Sequence, residues 1–155
     1  MADIYAMIDA VRDYLDADNW NYEYDEARKI IRTGVNLDCK LQSTRLFVTF
    51  NENGFSTIAT ISMKADEANR ERIAEYITRA NYGLRNGNFE MDYNDGEIRY
   101  KLYTNCKGID RVPSQMIGDA IIIPPTMFER YGNGLAALMF GFSTPKEEIE
   151  KAEAR

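Results

Sequence analysis

The chain has 155 residues, no histidine, and a net charge of −6 from 25 acidic and 19 basic side chains. That length fits one domain burying about two-thirds of its unfolded surface, and 45% hydrophobic with 28% charged residues excludes a disordered chain. The negative balance opposes nucleic-acid phosphates and anionic membranes, which clustered Lys and Arg bind, and favours a basic or apolar partner surface.

Met1 to Tyr5 offer no basic region followed by an apolar stretch, so no signal peptide is expected. No apolar run reaches the length of a bilayer span, and a soluble, cytoplasmic protein is anticipated. Residues 3–18 predict an amphipathic helix. Ile4, Ile8, Val11 and Leu15 recur at helical spacing, acids fill the other side, and Asp3 is placed to cap the start. The excess of acid before residue 30 reads first as a solvated helix face, with an acidic docking surface as the sharper alternative. Trp20, Tyr22 and Tyr24 alternate with polar residues as in a short strand, a turn follows at Asp25–Glu26, and residues 28–35 form a second strand.

Leu46, Val48 and Phe50 alternate, Asn53-Gly54 signals a hairpin, and Phe55, Thr57, Ala59, Ile61 and Met63 alternate again. A helix from Asp66 to about Tyr82 follows, with Ile73, Ile77 and Ala80 on one stripe and Gly83 to stop it. A second hairpin is expected to turn at Asp95-Gly96. That turn sets Tyr93 opposite Ile98, Met91 opposite Tyr100 and Phe89 opposite Leu102. On the other face Asp92 meets Arg99 and Glu90 meets Lys101, and a one-residue slip would destroy both patterns.

From Val112 to Phe142 the charged residues are Asp119, Glu129 and Arg130 in an otherwise strongly apolar stretch. Pro124-Pro125 is expected to break any helix there, leaving a short helix before it and a second, weakened by Gly132 and Gly134, ending near Phe140. Thr144, Pro145 and Glu147 form a capping box for the last helix, where Glu147 and Lys151 support each other. The resulting order, α-β-β-β-α-β-β-α, predicts a single α+β domain over 1–155, with a mostly antiparallel sheet covered on one face by helices.

The absence of histidine removes Ser-His and Cys-His nucleophilic pairs and histidine metal sites. Cys39 and Cys106 have no second cysteine nearby in sequence, which argues against a zinc site and for two reduced thiols, with a disulfide between them as the alternative. Gly132-Asn133-Gly134 lacks the third glycine and preceding strand of a dinucleotide fingerprint. Asp92-Tyr93-Asn94-Asp95-Gly96 has its glycine one place early for a calcium loop and no closing glutamate. The sheet aromatics Phe47 and Tyr103 could stack bases, but acidic charge and the lack of a basic groove favour packing or dimer contact. No catalytic, cofactor-binding or metal residue is expected, and no nucleic-acid or membrane partner.

Asn81, Gly83-Leu84, Gly87-Asn88-Phe89-Glu90-Met91-Asp92 and Asp95-Gly96-Glu97-Ile98-Arg99-Tyr100 resemble the core signature of the YbjN family of bacterial sensory transduction regulators. The likeness extends over nearly the whole chain, including the helix start Ser143-Thr144-Pro145-Lys146-Glu147-Glu148. Pro124-Pro125 and Gly132-Asn133-Gly134 depart from the family pattern. The resemblance implies a fold like that of type III secretion chaperones, small acidic and often dimeric proteins that bind polypeptides without catalysis. The family has no agreed active site, so no catalytic residue carries over.

The functional expectation is therefore a non-catalytic, chaperone-like or regulatory protein that binds an unidentified protein partner as a homodimer. A small-molecule-sensing module with a pocket beneath the sheet is the alternative. Ile117, Ile121, Met127, Tyr131 and Leu138 suffice to pack the apolar stretch on the sheet. Leu135, Met139, Phe140 and Phe142 are then left over, either as residues the domain core wraps around or as the candidate dimer or partner interface.

Overall fold

The computed structural model describes residues 3–154, so Met1 and Ala2 of the N-terminal stretch lie outside the described residues. Helix α1 (Ile4–Ala17) is followed by strands β1 (Tyr22–Asp25), β2 (Ile30–Asn36), β3 (Ser43–Asn51) and β4 (Gly54–Thr60). Helix α2 (Arg70–Tyr82), strands β5 (Asn88–Met91) and β6 (Ile98–Asn105), and helices α3 (Ser114–Met139) and α4 (Pro145–Glu153) complete the chain. The six strands form one antiparallel sheet in the order β1-β2-β3-β4-β6-β5. The predicted class stands, with one more strand before α2 and one more helix at the end than the predicted order.

Alternation along the strands sorts the two faces. Leu46 and Val48 on β3, Phe55 and Ala59 on β4, and Ile98 and Tyr100 on β6 are buried toward the helices. Arg45, Phe47, Ile58, Lys101 and Tyr103 alternate with them onto the opposite face, which among the described residues no helix covers. Helix α3 packs on β4 and β6, α1 on β3 and α3, and α2 on β5 and α4. Between sheet and helices Phe89 meets Tyr100, Phe128 and Tyr131 edge-on, with ring centroids 4.9, 5.5 and 5.5 Å away. Each such ring stabilises the fold by roughly 1.5–3 kcal/mol relative to exposure. The Tyr76 hydroxyl donates to Tyr131 O at 2.7 Å, and burial pushes its pKa well above the usual phenol range, so it serves as a fixed donor.

Asp3 caps α1 as expected, accepting from Tyr5 N at 3.0 Å. Helix α2 begins at Arg70 and not at Asp66, because Asp66 O and Oδ1 both accept from Asn69 N in a preceding turn. The first hairpin is where Asn53-Gly54 puts it, for another reason. Asn51 pairs with Gly54, leaving Glu52-Asn53 as the turn, and neither takes a positive φ. Gly54 is needed because a Cβ there would run into Thr104 O on the adjacent strand β6.

The second hairpin corrects the expected register. Phe89 pairs with Tyr100, Glu90 with Arg99 and Met91 with Ile98, so β5 is displaced by two residues and residues 92–97 form the loop. Gly96 has φ +79 but Asp95 does not take a positive φ, so the two-residue turn that needs both is not formed. Glu90 instead holds both Arg99 at 3.0 Å and Lys101 at 3.1 Å, and Asp92 pairs with neither.

The expected break at Pro124-Pro125 does not occur: α3 runs 26 residues straight through. The prolines cannot donate to Ala120 O and Ile121 O, and each costs about 3 kcal/mol in a helix interior. Burial outweighs that cost. Ile117, Ile121, Phe128, Leu135 and Leu138 all lie on the core side, and both prolines are buried with them. Met127, expected in this set, is only half-buried, and Phe128 takes its place. Gly132 and Gly134, expected to weaken the helix, admit close neighbours. A Cβ on Gly132 would lie 2.9 Å from Cys39 Sγ, and one on Gly134 would strike the Tyr76 hydroxyl.

Candidate interaction surface

Because α3 is unbroken, its helical phase carries from Ile121 through Phe128 to Leu135 in steps of seven, keeping all three on one side. Leu135 is therefore fully buried in the core, a correction to its expected place at an interface. Met139, one turn later, is half-buried against the core. Beyond it the chain turns out to solvent: Phe140 is 68% exposed and Phe142 69%.

The corner that presents these two rings is fixed by hydrogen bonds. Phe142 N donates to Ala137 O at 2.8 Å and Gly141 N to Leu138 O at 3.1 Å, with Gly141 at φ +77, which is a Schellman helix end. Such an end commonly packs its outermost residue on the preceding turn, but Phe142 occupies that position and remains in water. Asn69, ahead of α2, donates from Nδ2 to Met139 O at 2.9 Å, tying the last turn of α3 to a second helix. On the far side Thr144 Oγ1 accepts from Glu147 N at 3.3 Å and Ser143 Oγ donates to Glu147 Oε2 at 3.0 Å. Two large apolar side chains thus stand in water on a backbone held from both ends. Burying each would contribute roughly 1.5–3 kcal/mol to an association, with little backbone ordering left to oppose it.

The clamp from Asn69 has no sequence signal, since its acceptor is 70 residues away. Of the other sequence candidates, Phe47 is half-buried and Tyr103 exposed on the uncovered face of the sheet. Tyr103 hydroxyl is 3.4 Å from Asn51 Oδ1. Cys39 and Cys106 are both free thiols, and burial pushes the Cys106 thiol up, keeping it protonated and unreactive. Among the described residues no group of three or more Cys, Asp or Glu is placed to hold a metal ion, and no helix is long and apolar enough to cross a membrane.

This one-sided antiparallel sheet with a hairpin tip fixed at Gly96 is the frame in which the family signature sits. The chain belongs to the YbjN family: the family model, described as "Putative bacterial sensory transduction regulator", matches residues 8–118. That span opens within α1, contains all six strands and closes in the first turns of α3. The corner at Phe140 and Phe142 lies beyond it. No curated protein matches the chain.

Proposed function

We propose that this chain is a non-catalytic regulatory protein that acts in the cytoplasm by binding another polypeptide through the Phe140–Phe142 corner, and that it works as a homodimer. The observation that carries the reading is the pair of phenylalanines, each about two-thirds exposed, on a loop fixed by hydrogen bonds at both ends. Aromatic rings, phenylalanine included, are enriched at protein interfaces relative to the rest of the surface. The family description as a regulator of sensory transduction supports the same reading. For small-molecule sensing no observation is as favourable, because the layer beneath the sheet is filled by Phe89, Tyr100, Phe128 and Tyr131.

Sedimentation equilibrium of the native protein and of a Phe140→Ser, Phe142→Ser variant tests the proposal, together with affinity capture of both from a bacterial cytosol. The native protein is expected to sediment as a dimer and retain a copurifying polypeptide. The variant is expected to be a folded monomer that retains neither. A native monomer from which no polypeptide copurifies would overturn it.

A further inference from the structure

Helix α1 has a second side that its own core uses only at Ala10, which is half-buried; Asp3, Ala6, Asp13 and Ala17 on that side are exposed. Met7, Val11 and Leu15 are buried against the sheet and α3. Asp3, Ala6, Ala10, Asp13 and Ala17 follow one another in steps of three and four, so they form a separate stripe along the helix. That stripe is one wall of a surface groove of about 760 Å³. The connection from β6 into α3, with Ile109 and Val112, and the first turn of α3, with Ile117, make the other wall. Gly118 brings α3 close beside α1, since a Cβ there would lie 3.3 Å from the Tyr14 hydroxyl.

The alanines leave a shallow apolar floor into which a second helix backbone could approach. Charge then selects the occupant. Asp3, Asp9, Asp13 and Asp110 line the groove against Arg111, the one basic side chain there among the described residues. Among the described residues Asp9, Asp13 and Asp110 have no ion-pair partner. A second copy of α1 would set aspartates against aspartates, and these carboxylates are not gathered closely enough to hold a metal. We propose that this groove takes a basic amphipathic helix of a partner protein, its apolar side seated on Ala6 and Ala10 and its Lys or Arg side chains against Asp9, Asp13 and Asp110. The site lies roughly 35 Å along α3 from Phe140, at 1.5 Å per residue, so it is a surface separate from the Phe140–Phe142 corner.

The probe is a fluorescent synthetic helix of about four turns, matched to α1, with Leu and Ala on one face and Lys on the other. Fluorescence anisotropy is expected to show saturable binding that weakens with added salt. The same peptide with Glu in place of Lys is expected not to bind. Asp9→Lys, Asp13→Lys should weaken the Lys peptide about tenfold or more, and Ala10→Tyr should weaken it by filling the floor. Glu52→Lys, Glu67→Lys makes the same change in net charge on exposed sites elsewhere and should leave affinity within about twofold. Equal weakening by the two charge-reversal pairs, full-strength binding by Ala10→Tyr in a protein of native melting temperature, or no binding at low salt would each overturn the proposal. The Phe140→Ser, Phe142→Ser variant should bind the peptide normally, so this site and the corner stand or fall separately.

Discussion

Gly96 meets two demands at once. Its φ of +79 disfavours any residue with a Cβ, and a Cβ there would collide with the Ala65 carbonyl. The contact is also a hydrogen bond, from Ala65 N to Gly96 O at 2.9 Å, which docks the hairpin tip onto the connection between β4 and α2. The dipeptide Asp95-Gly96 marks a turn in the sequence, but this docking is a tertiary demand that no local pattern carries. Gly96→Val should therefore cost more than the roughly 1–2 kcal/mol of left-handed backbone strain alone. Gly83 is the control, with φ −101 and open space around its Cβ direction, and Gly83→Ala should be neutral or stabilising by about 0.4–1 kcal/mol. Thermal unfolding of the two variants tests this. Equal melting temperatures would mean that the tip is not docked.

At the scale of elements, the β5–β6 hairpin shows what alternation can and cannot encode. A slip of one residue exchanges the two faces, but a slip of two preserves both. The sequence pattern therefore placed Phe89, Met91, Ile98 and Tyr100 on the inner face correctly and could not place them opposite the right partners. The loop is longer than two residues because it closes on its own acids: Asp92 Oδ1 accepts from Asn94 N at 2.8 Å and Asp95 Oδ1 from Glu97 N at 2.9 Å. A double-mutant cycle distinguishes the registers. Glu90 and Arg99 should couple by about 0.2–1 kcal/mol, whereas Asp92 and Arg99 should be additive. The outer edge of the same hairpin depends on Asn81, whose side chain donates to Phe89 O at 3.0 Å and accepts from Phe89 N at 2.8 Å. One amide does the work of a neighbouring strand there and leaves that part of the edge closed to a pairing chain. Asn81→Leu removes both bonds and should lower stability by about 1–3 kcal/mol in denaturant unfolding; an unchanged midpoint would show that water replaces the amide without loss.

For the whole molecule, the C-terminal third was the least legible part, and a single misreading accounts for most of that. Treating Pro124-Pro125 as a break resets the helical phase, and Leu135 then counts as surplus; with α3 continuous, Leu135 lies in register with Ile121 and Phe128. Phe140 and Phe142 were legible as surplus apolar residues because they lie past the helix end, where phase no longer matters. The same continuity bears on how much of the chain forms the folding unit. The family match ends at residue 118, yet the inner face of β4 and β6 is covered by the remainder of α3, with Phe128, Tyr131, Leu135 and Leu138 all buried. Four such side chains, at roughly 1.5–3 kcal/mol each, are comparable with the entire net stability of a domain, about 5–15 kcal/mol. A fragment of residues 1–118 should therefore keep much of its far-UV dichroism and lose its near-UV signal. It should also bind a hydrophobic dye and melt without a cooperative transition. A sharp thermal transition in that fragment would show that the six strands, α1 and α2 fold alone and that α3 and α4 are an addition to a finished structure. Ala59, Tyr100 and Leu102, buried in the full chain and stripped of their cover in the fragment, make the opposite outcome the expected one.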